Sequence, residues 1–127
     1  MGEFVIISFA YTVDVLLSGK KSVTRRKWTP RYHLTWVKAW REGRRIHQAW
    51  DKSPRCGGHH IADIRLTYVP YQEVLRDMPW TDLELEGTGH KRVSDFVAAF
   101  FDNEYERVSV IRFEMIPLQK EEPDAMQ

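Results

Sequence analysis

Cysteine is almost missing from this chain of 127 residues: Cys56 is the only one. A lone cysteine excludes an internal disulfide and fits a reducing cytosol. With histidines scattered rather than spaced as ligands, it is also poor material for a structural zinc site. Long apolar runs are missing too. None approaches the roughly 18–20 residues that cross a bilayer. The first apolar run, Phe4 to Ala10, has no basic flank and does not read as a signal peptide. A cytoplasmic protein with no membrane partner is therefore expected. A phosphate-cradling loop is also lacking, because Gly57-Gly58 and Gly87-Thr88-Gly89 have neither the strand-to-helix setting nor the lysine. No internal repeat or low-complexity segment interrupts the chain. Its length predicts one domain, residues 1–118, with a polar tail at 119–127.

Acidic residues are scarce in the first half. The net charge of +1 hides this, since residues 1–60 carry twelve Lys/Arg against four Asp/Glu and residues 61–127 carry seven against fourteen. The halves therefore differ in sign, +8 against −7. Either a basic face meets an anion or a nucleic acid, or the two halves pair across the fold. The sequence leaves both open.

Aromatic residues are abundant, with five Trp, six Phe and five Tyr. The run Phe4 to Ala10 is β-branched and aromatic and predicts a buried strand. Val13 to Ser18 predicts a short helix, with Thr12 as N-cap and Gly19 as the stop. Ser22 to Arg26 opens a second strand. Thr29-Pro30 starts a helix, and Tyr32, Trp36 and Trp40 share one of its faces until Gly43 ends it. Arg45 to Trp50 predicts a strand, and residues 51–58 a loop. From Ile61 to Val69, Ala62, Ile64, Leu66 and Tyr68 alternate onto one face. Tyr71 to Met78 and Thr81 to Glu86 read as short helical pieces. Val93, Phe96, Val97, Phe100 and Phe101 have the spacing of a core-facing helix stripe. Arg107 to Ile116 is the last strand, with Ile111, Phe113 and Met115 on one face. Four or five strands with one-sided alternation, interleaved with short helices, predict an α+β protein built on a small, mostly antiparallel β-barrel.

The chemistry concentrates in Gly19-Lys20-Lys21-Ser22-Val23-Thr24-Arg25-Arg26, which reads Gly-x-Lys-x-x-Thr-x-Arg. A lysine and a threonine can supply a base and a hydroxyl nucleophile. An arginine beyond them can hold a phosphate or an oxyanion. The ordinary alternative is a solvated basic turn after a helix-ending glycine. Spacing imposes a condition. In an extended strand Lys21 and Thr24, three apart, point to opposite faces. They converge only if Lys21 lies in a turn after Gly19 or if a bulge intervenes. Elsewhere, His47, His59 and His60 lack partners at metal spacing, so no metal is expected. His90 reads as a loop histidine, Cys56 as a surface thiol and the Phe96/Phe100 stripe as core. Trp28, beside the motif, is the best aromatic to stack on a base.

The order of parts resembles the ASCH domain family. That order is a first strand, a short helix, the motif with Gly19, Lys21, Thr24 and Arg26, an alternating strand, Leu83-Glu84-Leu85-Glu86-Gly87, a helix and a final strand. The resemblance spans roughly Phe4 to Pro117; the segment Thr29 to Gly43 departs from the shortest members. It implies a PUA-like barrel related to RNA-binding modules. Small bacterial members of that family are amidohydrolases of N4-acetylcytidine, with a lysine, a threonine and a glutamate as catalytic residues. Carried over, these are Lys21, Thr24 and Glu86, with Glu84 as rival for the glutamate. Arg25, Arg26, Trp28 and Lys20 are then the expected substrate contacts. No cofactor is implied, and the expected partner is a nucleoside, nucleotide or RNA. A non-catalytic RNA- or nucleotide-binding module is the alternative, and a ribonuclease using His90 or Glu86 a third.

Overall fold

The structure, a computed structural model, describes residues 4–119. The elements in chain order are β1 (Ile6–Ser8), α1 (Val13–Leu17), β2 (Val23–Arg26), α2 (Pro30–Arg41), β3 (Ile46–Trp50), β4 (His60–Leu66), β5 (Tyr71–Val74), α3 (Asp82–Glu86), α4 (Val93–Phe100) and β6 (Arg107–Pro117). Six strands form a curled, mostly antiparallel sheet in the order β1-β3-β4-β6-β2, with β5 also on β6. Among the described residues only the β1–β3 pair is parallel. This is the expected α+β class, realised as a half-barrel with short helices.

The long strand β6 organises the sheet. Its first half lies between β2 and β5, with Val110 opposite both Arg25 and Tyr71. Its second half pairs with β4, from Phe113 opposite Leu66 to Pro117 opposite Ala62. β4 and β5 thus act as one partner of β6, broken where Thr67 to Pro70 bends the chain. That arrangement corrects the helical reading of Tyr71 to Met78. Residues Tyr71–Val74 are a strand and only Leu75–Asp77 form a 3-10 turn, because pairing with β6 outweighs local preference. Tyr68 falls in the bend, exposed, and leaves the buried face that Ala62, Ile64 and Leu66 continue.

Two apolar clusters fill the curl. One gathers Ile7, Phe9, Leu16, Trp36, Ile64 and Phe113 among its members. The other gathers Val23, Leu75, Leu83, Phe96, Val97 and Val108. α2 enters the first through Trp36 and Trp40 of its predicted face, while Tyr32 of that face is exposed; Trp36 is fully buried and stacks on Trp28 at 5.2 Å between ring centres. The Thr29 hydroxyl accepts from Tyr32 N at 3.1 Å and caps this helix as expected. Thr12 does not cap α1 with its side chain; the residue lines a cleft. No helix among the described residues is long and apolar enough to cross a membrane. The tail from 120 onward lies outside the described residues.

Candidate active-site cleft

A cleft of about 310 Å3 opens between the two clusters, with Phe9 of one and Phe96 of the other in its wall. Its polar lining is led by Lys21, Thr24, Arg25, Arg26 and Glu86. Two separate stretches of chain deliver these groups, the turn and strand from Lys21 to Arg26 and the end of α3. Gly19, at φ +81°, ends α1, and Lys21 N then donates back to Val15 O at 3.3 Å. Lys21 therefore sits in a turn before β2, which is the condition its spacing to Thr24 required. Glu86 closes α3, and Gly87 follows at φ +77°. A Cβ on Gly87 would stand 2.5 Å from Val15 Cγ1 and 3.6 Å from Lys21 Cβ. The glycine after the glutamate is thus what lets α3 end against the Lys21 turn.

These polar groups are deeply buried: relative exposures are 3 % for Lys21, 3 % for Thr24, 4 % for Arg25 and 2 % for Glu86. Lys21 Nζ donates to Glu86 O at 2.5 Å and to Glu86 Oε1 at 3.3 Å. Burial pushes the Lys21 ammonium below its ordinary pKa of 10.5; Glu86 opposes the shift, while Arg26 and Arg25 add to it. Glu84, the rival carboxylate, is exposed and faces a separate depression.

Strand alternation splits the next three residues. Thr24 and Arg26 share one face of β2, and Arg25 takes the other. Arg26 Nε donates to Thr24 Oγ1 at 3.0 Å, and its Nη2 to Ser8 O at 2.7 Å. Its guanidinium stands 5.2 Å from the Phe9 ring centre. Among the described residues no carboxylate forms an ion pair with Arg26, and burial lowers its pKa to about 10. Arg25 is held quite differently. It donates to Glu73 from Nε at 2.7 Å and Nη2 at 3.2 Å, to Asp82 Oδ2 at 2.6 Å and to Glu86 Oε2 at 2.9 Å. Burial works against its charge, but the hydrogen bonds it donates to Glu73 and Asp82 outweigh it and raise its pKa. A second arginine, Arg112, donates to Asp82 Oδ2 at 2.6 Å and to the Tyr71 hydroxyl at 3.2 Å.

Two of the expected contacts lie elsewhere. Lys20 is exposed and outside the cleft lining. Trp28 packs against Trp36 and, edge-on at 4.9 Å, against Tyr32. The aromatic lining comes from residues the sequence did not single out as contacts. Tyr11, 86 % exposed, and Phe100, 40 % exposed, meet at the mouth with ring centres 6.2 Å apart. Phe100 thus leaves the core stripe that Phe96 keeps. The helical spacing carried a signal for an apolar face, but none for where that face ends. His90 is a loop residue that packs on Phe96 and Phe100 and shares a 2.8 Å hydrogen bond with Thr88. His59 pairs with Asp51 and His60 with Asp63, Cys56 is exposed, and no metal-binding group of side chains occurs among the described residues.

The arrangement presents a buried lysine, a hydroxyl, a guanidinium that forms no ion pair among the described residues, and a carboxylate, faced by aromatic rings. Such a set can polarise a carbonyl, supply a nucleophile and move a proton. Comparison with known protein families, with curated proteins and with solved structures returns no match.

Proposed function

We propose that this protein hydrolyses the amide of an acylated nucleobase, of the N4-acetylcytidine type, within a PUA-like, ASCH-type domain. One observation carries the reading: Lys21, Thr24 and Glu86, separated by up to 65 residues in sequence, line a single cleft with Arg26 beside the hydroxyl.

In this reaction the Thr24 hydroxyl attacks the acetyl carbonyl carbon and passes its proton to neutral Lys21 Nζ. The hydrogen bond from Arg26 to Thr24 Oγ1 leaves the hydroxyl proton free to be taken. Arg26, which forms no ion pair among the described residues, holds the oxyanion. Collapse breaks the bond from carbonyl carbon to N4. The leaving nitrogen receives the proton from Lys21 through Glu86, and the base departs with a free amine. Water, deprotonated by Lys21, then attacks the acetyl ester on Thr24; the bond from carbonyl carbon to Oγ1 breaks, Lys21 returns the proton to Oγ1, and acetate leaves. A lysine at its ordinary pKa would be almost wholly protonated at neutral pH; the downward shift from burial favours the neutral form that this step needs. For the first step Lys21 must leave Glu86 Oε1 and turn to Thr24. The two do not hydrogen-bond among the described residues, and such contacts commonly form only with substrate present.

The Lys21–Glu86 pairing also favours a second reading, a non-catalytic nucleotide- or RNA-binding module in which the ammonium stays charged. Incubation of purified protein with N4-acetylcytidine, followed by chromatography for cytidine, separates the two. Hydrolysis should appear in the parent and vanish in Lys21→Ala and Thr24→Val. A binding module would give no cytidine, and RNA affinity that falls steeply with salt.

A further inference from the structure

Arg25 lies within the motif, yet its geometry suits a role other than holding substrate. All three of its nitrogens that donate do so to carboxylates of the protein: Glu73 on β5 and Asp82 and Glu86 on α3. Its side chain has no exposed surface. The Glu86 carboxylate is divided between two cations, with Oε2 on Arg25 at 2.9 Å and Oε1 on Lys21 at 3.3 Å. The shorter bond goes to the arginine. Arg25 itself is fixed from behind, because Glu73 grips it at two nitrogens and Asp82 is shared with Arg112, which in turn rests on Tyr71.

We propose that Arg25, braced by Glu73, Asp82 and Arg112, is a positioning residue that draws the Glu86 carboxylate away from Lys21 and so leaves the lysine able to give up its proton. This rests on the proposed hydrolytic site and resolves a conflict within it. A lysine in an undivided pair with a carboxylate is held protonated. The same lysine, sharing that carboxylate with a permanently charged guanidinium 2.9 Å away, is held less strongly. The charged groups that face Lys21 are Glu86 from α3 and Arg25 and Arg26 from β2. Those that face Arg25 are Glu73, Asp82 and Glu86, with Arg112 from β6 one contact further out. Removing Arg25 takes away a cation near Lys21 and returns Glu86 to it; both changes act in the same direction.

The test reads Lys21 directly. The side-chain Cε resonance of Lys21 is titrated by NMR in the full chain, for the parent, Arg25→Gln and Arg25→Lys. In Arg25→Gln the Lys21 midpoint should rise by about one pH unit or more. Arg25→Lys, which restores the charge without the three-way fork, should recover part of the shift. A folded Arg25→Gln whose Lys21 midpoint stays where the parent's lies would overturn the proposal. Should Arg25→Gln fail to fold, Arg112→Gln serves in its place. It leaves Asp82 to Arg25 alone, pulls Arg25 from Glu86 and should raise the Lys21 midpoint by a smaller amount; an unchanged or lowered midpoint there overturns the proposal equally. In the hydrolytic assay the alkaline shift should appear as the same displacement of the rising limb of kcat/KM against pH. Because the titration needs no turnover, a protein that moves its Lys21 midpoint as expected but releases no cytidine would contradict the hydrolytic reading and leave the positioning role standing.

Discussion

Arg25 and Arg26 are neighbours on one short strand and have opposite surroundings. Arg25 faces three carboxylates and has its pKa raised above the ordinary arginine value. Arg26 has a hydroxyl, a backbone carbonyl and the face of Phe9, and its pKa falls to about 10. The difference follows from the pleat of β2, which turns successive side chains to opposite faces. A cation with its charge already matched holds structure together. A half-buried cation in no ion pair among the described residues, facing an open cleft, is where an anion or a developing oxyanion gains most. Sequence position alone would treat the two as interchangeable.

The sharpest way to break this contrast is through stability. Arg25→Gln leaves Glu73, Asp82 and Glu86 without their shared cation, and truncating a buried ion pair costs about 3–5 kcal/mol. Chemical denaturation should show a loss of that order for Arg25→Gln and much less for Arg26→Gln. Equal losses would mean that Arg26 is as structural as its neighbour. Activity should reverse the order of the two. Arg26→Gln should lower kcat/KM for acetylcytidine hydrolysis by about 100- to 1,000-fold, the usual effect of removing one oxyanion donor, with melting temperature little changed.

Acid sharpens the comparison further, because the charged cluster and the neutral core respond in different pH ranges. His47 is fully buried, accepts from Val5 N at 2.9 Å through Nδ1 and has its pKa lowered by burial from 6.5 to about 4. The unfolded chain takes up a proton near pH 6.5 and the folded one only near 4. The stability His47 contributes is therefore complete above pH 6.5 and is lost as pH falls toward 4, by up to about 3 kcal/mol. Burial pushes Asp82 upward, but the hydrogen bonds from Arg112 and Arg25 outweigh it and hold its pKa below 3.8. Its contribution is complete above that value and lost only below it. Denaturation midpoints followed from pH 7 to pH 3 should fall first through His47. His47→Gln should flatten the upper part of that fall and leave the lower part in place.

Much of this architecture was legible beforehand. The strands that alternate, the capped start of α2 and the helix stripe of α4 follow from period and punctuation. The tie between Glu86, Gly87 and the Lys21 turn was readable only as a resemblance; the close approach of Val15 supplies its physical reason. What was illegible depended on distant partners. β5 is a strand because β6 is there to pair with it. Arg25 is structural because Glu73, Asp82 and Glu86 return to it from 48, 57 and 61 residues away. Trp28 is drawn off the cleft by Trp36, in the second turn of the following helix. The opposite charges of the two halves meet, in part, within the molecule: Arg25 and Lys21 of the basic half pair with acids of the other.

The most direct measurement is product release. Purified protein and its Thr24→Val variant, both verified as folded, are incubated with N4-acetylcytidine, and cytidine and acetate are quantified by chromatography. Equal amounts of the two products from the parent, and neither from Thr24→Val, are expected. Cytidine release that survives in Thr24→Val, or a folded parent that releases none, would contradict a hydrolytic site built on Thr24, Lys21 and Glu86.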